Sequence, residues 1–361
     1  MDLEATLQWR FAGAAAASAD DALIEAAAWG HAQSVVRLLT DFGSRPSAAA
    51  SPELLARRGA LQPGDTALHA ASRANRAEAT AELVAHGAPM DAPNDSGAKA
   101  LHIAAAKGHN DTASLLLAHG ASVDAANNGG ATPLFIAAHK GHNDTATLLL
   151  AHGAAVDAAR NDGVTPLSIS AQKGHNDTAT LLLAHGAAVD AARNDGVTPL
   201  FIAAHKGHND TATLLLAHGA AVDAANNGGA TPLYIAAHKG HNDTATLLLA
   251  HGAAVDAAFN DGATPLFMSA QEGHNDMAAL LLAHGAAVDA ARNDGVTPLF
   301  IAAQKGLNAM AALLLAHGAA VDAAHNSGAT PLFIAAHKGH NDTATLLLAH
   351  GAAVDAASNA G

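Results

Sequence analysis

The sequence has no cysteine. That removes disulfides and thiolate metal sites, and it suits a reducing, intracellular setting, taken here as cytoplasmic with the nucleus as the alternative. Aromatic residues are only 3% of the chain, so any core has to be built from many small alanine and leucine contacts. No apolar run approaches the ~18 residues a membrane span needs. The opening MDLEATLQWRF also lacks the basic segment and apolar stretch of a signal peptide, so no membrane is expected as a partner. Basic residues are scarce too: 18 Lys and Arg face 32 Asp and Glu, a net charge of −14 with histidine neutral. A strongly acidic chain is a poor general nucleic-acid binder. What the 361 residues do have is 24 histidines. Protonating all of them would reverse the sign of the net charge, which makes pH a variable to test.

Repetition is the main signal. The tripeptide Thr-Pro-Leu begins at Thr132, Thr165, Thr198, Thr231, Thr264, Thr297 and Thr330, always 33 residues apart. The register runs back through Lys99 (KALHIAA) and Thr66 (TALHAAS), and a degenerate copy occupies 21–43, giving ten units. A fixed period of this length predicts an all-α solenoid, elongated and curved, in which each unit buries its apolar face only against its neighbours. The expected division is an N-terminal cap segment over 1–20, holding Trp9 and Phe11, then a degenerate first repeat with an irregular insertion over 21–63. Nine regular repeats then fill 64–361.

Local signals within a unit agree with this. Thr132 suits an N-cap and Pro133 the first helical position, where its missing N–H costs nothing. The segment LFIAAHK then makes a short helix that stops before Gly141. Asn143 is expected to cap a second helix, with Asp144 well placed against its dipole. TATLLLAH carries the main apolar face, and Gly153 ends it in the left-handed conformation. VDAARNDGV, with strand-like residues around an Asn/Asp-Gly turn, predicts a projecting β-hairpin finger. The aspartates of the VDAA phrase are expected to bond the finger's own backbone.

The pattern G-x-TPL-x-x-AA-x-x-GH…LLL-x-x-GA-x-V-D-A resembles the ankyrin repeat, strongly over 43–361 and more weakly over 21–42. The resemblance implies a stack of helix-turn-helix units with projecting hairpin loops, no catalysis, no cofactor, and a concave face of fingertips and first helices that binds a protein partner. Two columns depart from the family. Its histidine after Thr-Pro-Leu survives at His69 and His102 but is Phe135, Ser168, Phe201, Tyr234, Phe267, Phe300 and Phe333 elsewhere. Its Ile-Val pair in the second helix is mostly Thr-Ala, as at Thr145 and Ala146, which loses buried methyls at roughly 0.8 kcal/mol per CH₂. The aromatic column reads as inter-repeat packing in preference to a ligand-facing stripe.

The histidines fall into three columns: after glycine (His109, His142, His175, His208, His241, His274, His340), before the C-terminal glycine of the second helix (His86 to His350), and a sparse set at His139, His205, His238 and His337. Leu307 interrupts the first, and Gln172, Gln271 and Gln304 replace the third, substitutions a metal site would not accept. Packing and helix-dipole roles are the leading reading. A metal- or pH-responsive array is the alternative.

Variation between repeats concentrates at the finger tips and the ends of the first helices. Nine Lys and Arg lie there from Lys140 on, while 15 of the 20 acidic residues from Lys99 on lie in the HND and VDAA phrases. The candidate partner-binding residues are therefore Lys140, Arg160, Asn161, Asp162, Gln172, Lys173, Arg193, Asn194, Asp195, His205, Lys206, His238, Lys239, Phe259, Arg292, Lys305 and Lys338. They point to a protein partner with an acidic or repetitive segment, engaged through aromatic, Arg and Lys contacts. No Gly-x-Ser-x-Gly, phosphate-binding loop or His-Glu-x-x-His motif is present, and catalytic and metal residues are both expected to be none. The last unit keeps the internal apolar phrase, including Phe333, Leu346, Leu347, Leu348 and Val354. It is expected either to continue into a longer, multidomain protein as its recognition fragment or to stack on another copy of itself.

Overall fold

The computed structural model describes residues 19–40, 44–51, 54 and 61–354. The expected cap residues Trp9 and Phe11 lie outside them. Twenty helices in ten pairs make up the described chain. We number them α1 (Ala19–Trp29), α2 (Ala32–Thr40), α3 (Ala67–Arg73), α4 (Ala77–Ala85), α5 (Ala100–Lys107), α6 (Asn110–Ala118), α7 (Pro133–Lys140), α8 (Asn143–Ala151), α9 (Pro166–Lys173), α10 (Asn176–Ala184), α11 (Pro199–Lys206), α12 (Asn209–Ala217), α13 (Pro232–Lys239), α14 (Asn242–Ala250), α15 (Pro265–Glu272), α16 (Asn275–Ala283), α17 (Pro298–Lys305), α18 (Asn308–Ala316), α19 (Pro331–Lys338) and α20 (Asn341–Ala349). The fold is all-α.

The chain divides into two units. One holds residues 1–170 and 177–187, the other 171–176 and 188–361. Within the first, α1, α3, α5 and α7 pack in succession, and α2, α4, α6 and α8 form the second layer. Within the second, α11 to α19 and α12 to α20 repeat the arrangement.

The first helices begin as their sequence dictates. Thr132 Oγ1 accepts the Phe135 N–H at 3.3 Å, Pro133 fills the first turn, and Gly141 closes the helix at φ 72°. The second helices differ from expectation. His142, not Asn143, holds the N-cap position, its carbonyl accepting the Ala146 N–H at 2.9 Å, and Asn143 is the first helical residue. In two junctions the asparagine is bonded across repeats: Asn110 Oδ1 accepts the hydroxyl of Thr145, and Asn176 Oδ1 that of Thr211, whereas Oδ1 of Asn143, Asn209 and Asn242 is buried without a hydrogen-bond partner. Threonine therefore replaces the family's aliphatic residue without leaving a buried hydroxyl unpaired.

Leu134, Ala137, Ala138, Ala146 and Leu149 are fully buried, and the alanines let helices approach closely. The aromatic column is core, as expected: Phe135, Phe201, Tyr234, Phe267 and Phe300 are all buried. In the last repeat the equivalent Phe333 is 42% exposed, and Leu348 and Val354 are exposed with it. The fingers close by turns and not by ladders. Arg160 N–H donates to Val164 O and Gly163 N–H to Arg160 O, at 3.0 and 2.9 Å, and the only β-bridge among the described residues joins Ala49 to Thr66.

Candidate partner-binding surface

Each finger is tied to the one before it. Asn161 N–H donates to Gly129 O and its side-chain amide to Asn128 O; Asn227, Asn293 and Asn326 repeat the side-chain bond to Asn194, Asn260 and Asn293. The approach is tight: a Cβ on Gly130, at φ 81°, would lie 2.4 Å from Asn161 Oδ1. Asn161 and Asn194 thus build the row of fingers, whatever else they touch. Asp162 and Asp195 each accept a backbone N–H from their own finger, Val164 and Val197, at 3.3 Å.

The arginines are occupied inside the molecule. Arg160 pairs with Asp162 at 2.8 Å, Arg193 with Asp195 at 3.2 Å, and Arg292 with Asp294 at 2.5 Å. The Arg292 guanidinium and the backbone amide of Val296 hold the Asp294 carboxyl below its ordinary value against a desolvation that raises it. The finger residue also roofs the aromatic ring of the preceding repeat. Arg160 lies over Phe135 and Arg292 over Phe267, both 5.5 Å from the centroid; Phe259 stacks on Tyr234 at 5.6 Å and His325 on Phe300 at 5.7 Å. Phe259 is half-buried in that stack.

At the first-helix ends, Lys140, Lys173, Lys206, Lys239 and Lys338 are exposed and have no acidic partner among the described residues. Lys305 is the exception, 4.0 Å from Glu272. The Gly-His column fastens these ends to the next repeat: Nε2 of His208, His241, His274 and His340 bonds the carbonyls of Gln172, His205, His238 and Gln304 at 3.1 to 3.3 Å. Since a carbonyl only accepts, each Nε2 carries the proton. His205 and His238 sit half-buried beside the lysines. Burial first, then the lysine ammoniums, lowers their proton affinity; Glu272 opposes this at His238.

The VDAA aspartates correct the expectation of a local bond. Asp124, Asp190, Asp223, Asp256, Asp289 and Asp322 each accept the backbone N–H of an alanine 31 residues on, in the following repeat, at 3.0 to 3.3 Å. They are cross-braces. The column from His86 to His350 does act at helix C-termini, Nδ1–H donating to the carbonyl four residues back at 2.8 to 2.9 Å. Among the described residues no three His, Asp or Glu side chains are grouped to hold a metal ion, and no helix is long and apolar enough to cross a membrane.

A family model described as "Ankyrin repeats (3 copies)" matches residues 23–127, 120–193, 185–258, 216–292, 251–325 and 288–358. The chain belongs to the ankyrin-repeat family. Ankyrin repeats are in general protein–protein interaction modules and typically non-catalytic scaffolds. No curated protein matches the chain. Within this ankyrin array, sequence reasoning found the two variable zones. It missed the aromatic-to-finger pairing, whose signal is a spacing of 25 residues between Phe135 and Arg160, Tyr234 and Phe259, and Phe267 and Arg292.

Proposed function

We propose that this ankyrin chain is a non-catalytic scaffold that binds a polypeptide partner on the surface formed by its finger tips and first-helix ends. One observation carries the reading: Lys140, Lys173, Lys206, Lys239 and Lys338 at the helix ends are exposed and have no acidic partner among the described residues, whereas the arginines of the tips are paired with aspartates and two of them also lie over rings. Free ammonium groups are available for an acidic partner, and they steer its approach. The paired arginines, with Asn161, Asn194 and Phe259, set the shape of the tips. Gln172, His205 and His238 supply neutral donors and acceptors beside the lysines.

The test immobilises the chain and a variant with Lys140, Lys173, Lys206 and Lys239 all changed to alanine, and compares the proteins each retains. Matched melting curves establish that both are folded. Polypeptides held by the first and lost by the second are the expected outcome. Identical retention overturns the assignment of this face. The exposed Phe333, Leu348 and Val354 give a second surface, for which a second copy of the chain is the proposed occupant; sedimentation that stays monomeric across a concentration series removes it.

A further inference from the structure

We propose that Lys173, Lys206 and Lys239 form a three-position rail that reads an extended acidic peptide carrying a carboxylate at every third residue, with Glu272 as the stop that fixes its register. The proposal rests on the partner-binding reading above and gives that partner a chemistry and a spacing.

The rail lies wholly within the second unit. Lys173 ends α9, Lys206 α11 and Lys239 α13; α11 packs beside α13, and α13 beside α15, which ends in Glu272. His208, His241 and His274 lock the turn of peptide before each lysine, at Gln172, His205 and His238, to the following repeat. The rungs are therefore held in a fixed register and do not float as independent surface charges. Two of them also act on the histidines between them. Lys206 and Lys239 both act on His205, and His238 feels Lys239 on one side and Glu272 on the other. A positive field is continuous along two rungs and reverses at the next.

That reversal is specific. Glu272 occupies the position that is lysine in the neighbouring repeats. It accepts the Gln271 side-chain amide at 2.9 Å and lies 4.0 Å from Lys305, which it neutralises. The Gln271 hydrogen bond above all keeps its carboxyl ionised. A carboxylate sliding past Lys239 meets like charge, which rejects the wrong register.

Spacing selects the ligand. Packed helices are about 8–10 Å apart. A polyproline II segment rises ~3.1 Å per residue with three residues per turn, so every third side chain falls on one face about 9.3 Å along. In a β-strand the same-face spacing is roughly 6.6 Å, and every third side chain points to the opposite face. An α-helix could present every seventh residue at ~10.5 Å, but a peptide long enough for three such contacts must first be ordered as a helix, which short chains resist in water.

The experiment titrates the full chain with fluorescent peptides of about twelve residues, read by anisotropy at low salt. One carries Glu at every third position among prolines. Isomers carry the same glutamates clustered, alternating, or at seven-residue spacing in a helix-forming background. The period-three peptide is expected to bind roughly tenfold more tightly than the clustered isomer, and Lys206→Ala to weaken it about fivefold. Glu272→Lys should strengthen a six-glutamate version while leaving the three-glutamate peptide unchanged. Equal binding by all isomers, or tightest binding by the seven-residue spacing, overturns the proposal. So does inorganic polyphosphate binding through Lys206 where no peptide does. If no peptide binds while the four-lysine variant still loses captured polypeptides, the rail fails and the scaffold reading stands.

Discussion

His102 and Phe267 occupy the same place in their repeats, the third residue of a first helix, yet they join one repeat to the next by different physics. His102, in the first unit, accepts the Lys99 N–H on Nδ1 and donates from Nε2 to Ala131 O at 2.9 Å. His69 does the same with Thr66 and Ala98. Phe267, in the second unit, has no polar atom to satisfy; it is 1% exposed and covered by the Arg292 guanidinium. The first junction is directional and depends on protonation. The second depends on buried area and tolerates any pH at which the chain is folded. A position that touches its neighbour is thus filled here by two different chemistries, and the residue two places before it differs as well: Ala67 and Ala100 open the histidine helices, Pro133 and Pro265 the aromatic ones.

The largest effect is expected from breaking the apolar junction. Phe267→Ala removes a fully buried ring and should cost about 3–5 kcal/mol. Because an array can lose cooperativity, the measurement is hydrogen exchange, with protection falling first over 265–300. Protection unchanged there would mean that the ring packs without stabilising the junction.

The histidine junction should break with acid. Burial pushes the His102 imidazole down to about 4, from 6.5, and His69 is lowered for the same first cause. An unfolded histidine binds its proton near pH 6.5, whereas folded His102 resists it down to about 4. Stability is therefore complete above about 6.5 and drains away as the pH falls through this window. His102 alone contributes about 3 kcal/mol to that loss. His102→Phe writes the later repeats' residue into the earlier one. It should flatten the dependence of the urea midpoint on pH between 6.5 and 4, whatever it does at neutrality. An undiminished slope would place the acid sensitivity elsewhere.

How much of this was legible depends on how far apart the partners lie in the chain. Thr132, Pro133 and Gly141 act within one helix, so the caps, the period and the two variable zones could be read directly. The Arg160–Asp162 and Arg292–Asp294 pairs are two residues apart and were readable in the motif RND. The cross-braces were hidden. Asp223 reaches Ala254, 31 residues on, Thr211 reaches Asn176, 35 back, and His241 reaches the His205 carbonyl, 36 back. In near-identical repeats a bond within one copy and a bond to the next have the same sequence signature, and only the stack distinguishes them. Asn143 was misplaced because His142 takes the cap position and leaves Asn143 as the first helical residue, its Oδ1 buried without a hydrogen-bond partner.

The Gly-His column offers the same contrast within a single unit. His274 bonds the His238 carbonyl at 3.2 Å, while Leu307, at the equivalent place one repeat later, has only methyls to set beside Gly273 and offers Gln271 O no donor. Leu307→His supplies the missing N–H and is expected to raise stability by about 1 kcal/mol, the net worth of one hydrogen bond. A fall would show that the leucine's burial outweighs the bond, and that this junction belongs with Phe267 rather than with His102.

The smallest effect separates two contributions at the roof of Phe267. Arg292 pairs with Asp294 and also lies 5.5 Å above the ring. Its side chain and that of Asp294 are each about a third exposed, so the ion pair should be worth well under 1 kcal/mol, and stacking on the ring adds about 0.5–1 kcal/mol at such a site. The two respond differently to salt. At 1 M the screening length is about 3 Å, which removes most of the exposed pair's attraction, whereas the contact of guanidinium with ring persists. Arg292→Ala should therefore lower the local stability of 265–300 by about 1 kcal/mol, most of it retained in 1 M salt. Arg292→Lys keeps the charge but loses the planar group, and should fall most of the way to the alanine variant. If lysine restores full stability, or salt abolishes the difference, the finger residue works through charge alone. The aromatic junction would then share the histidine junction's dependence on solution conditions.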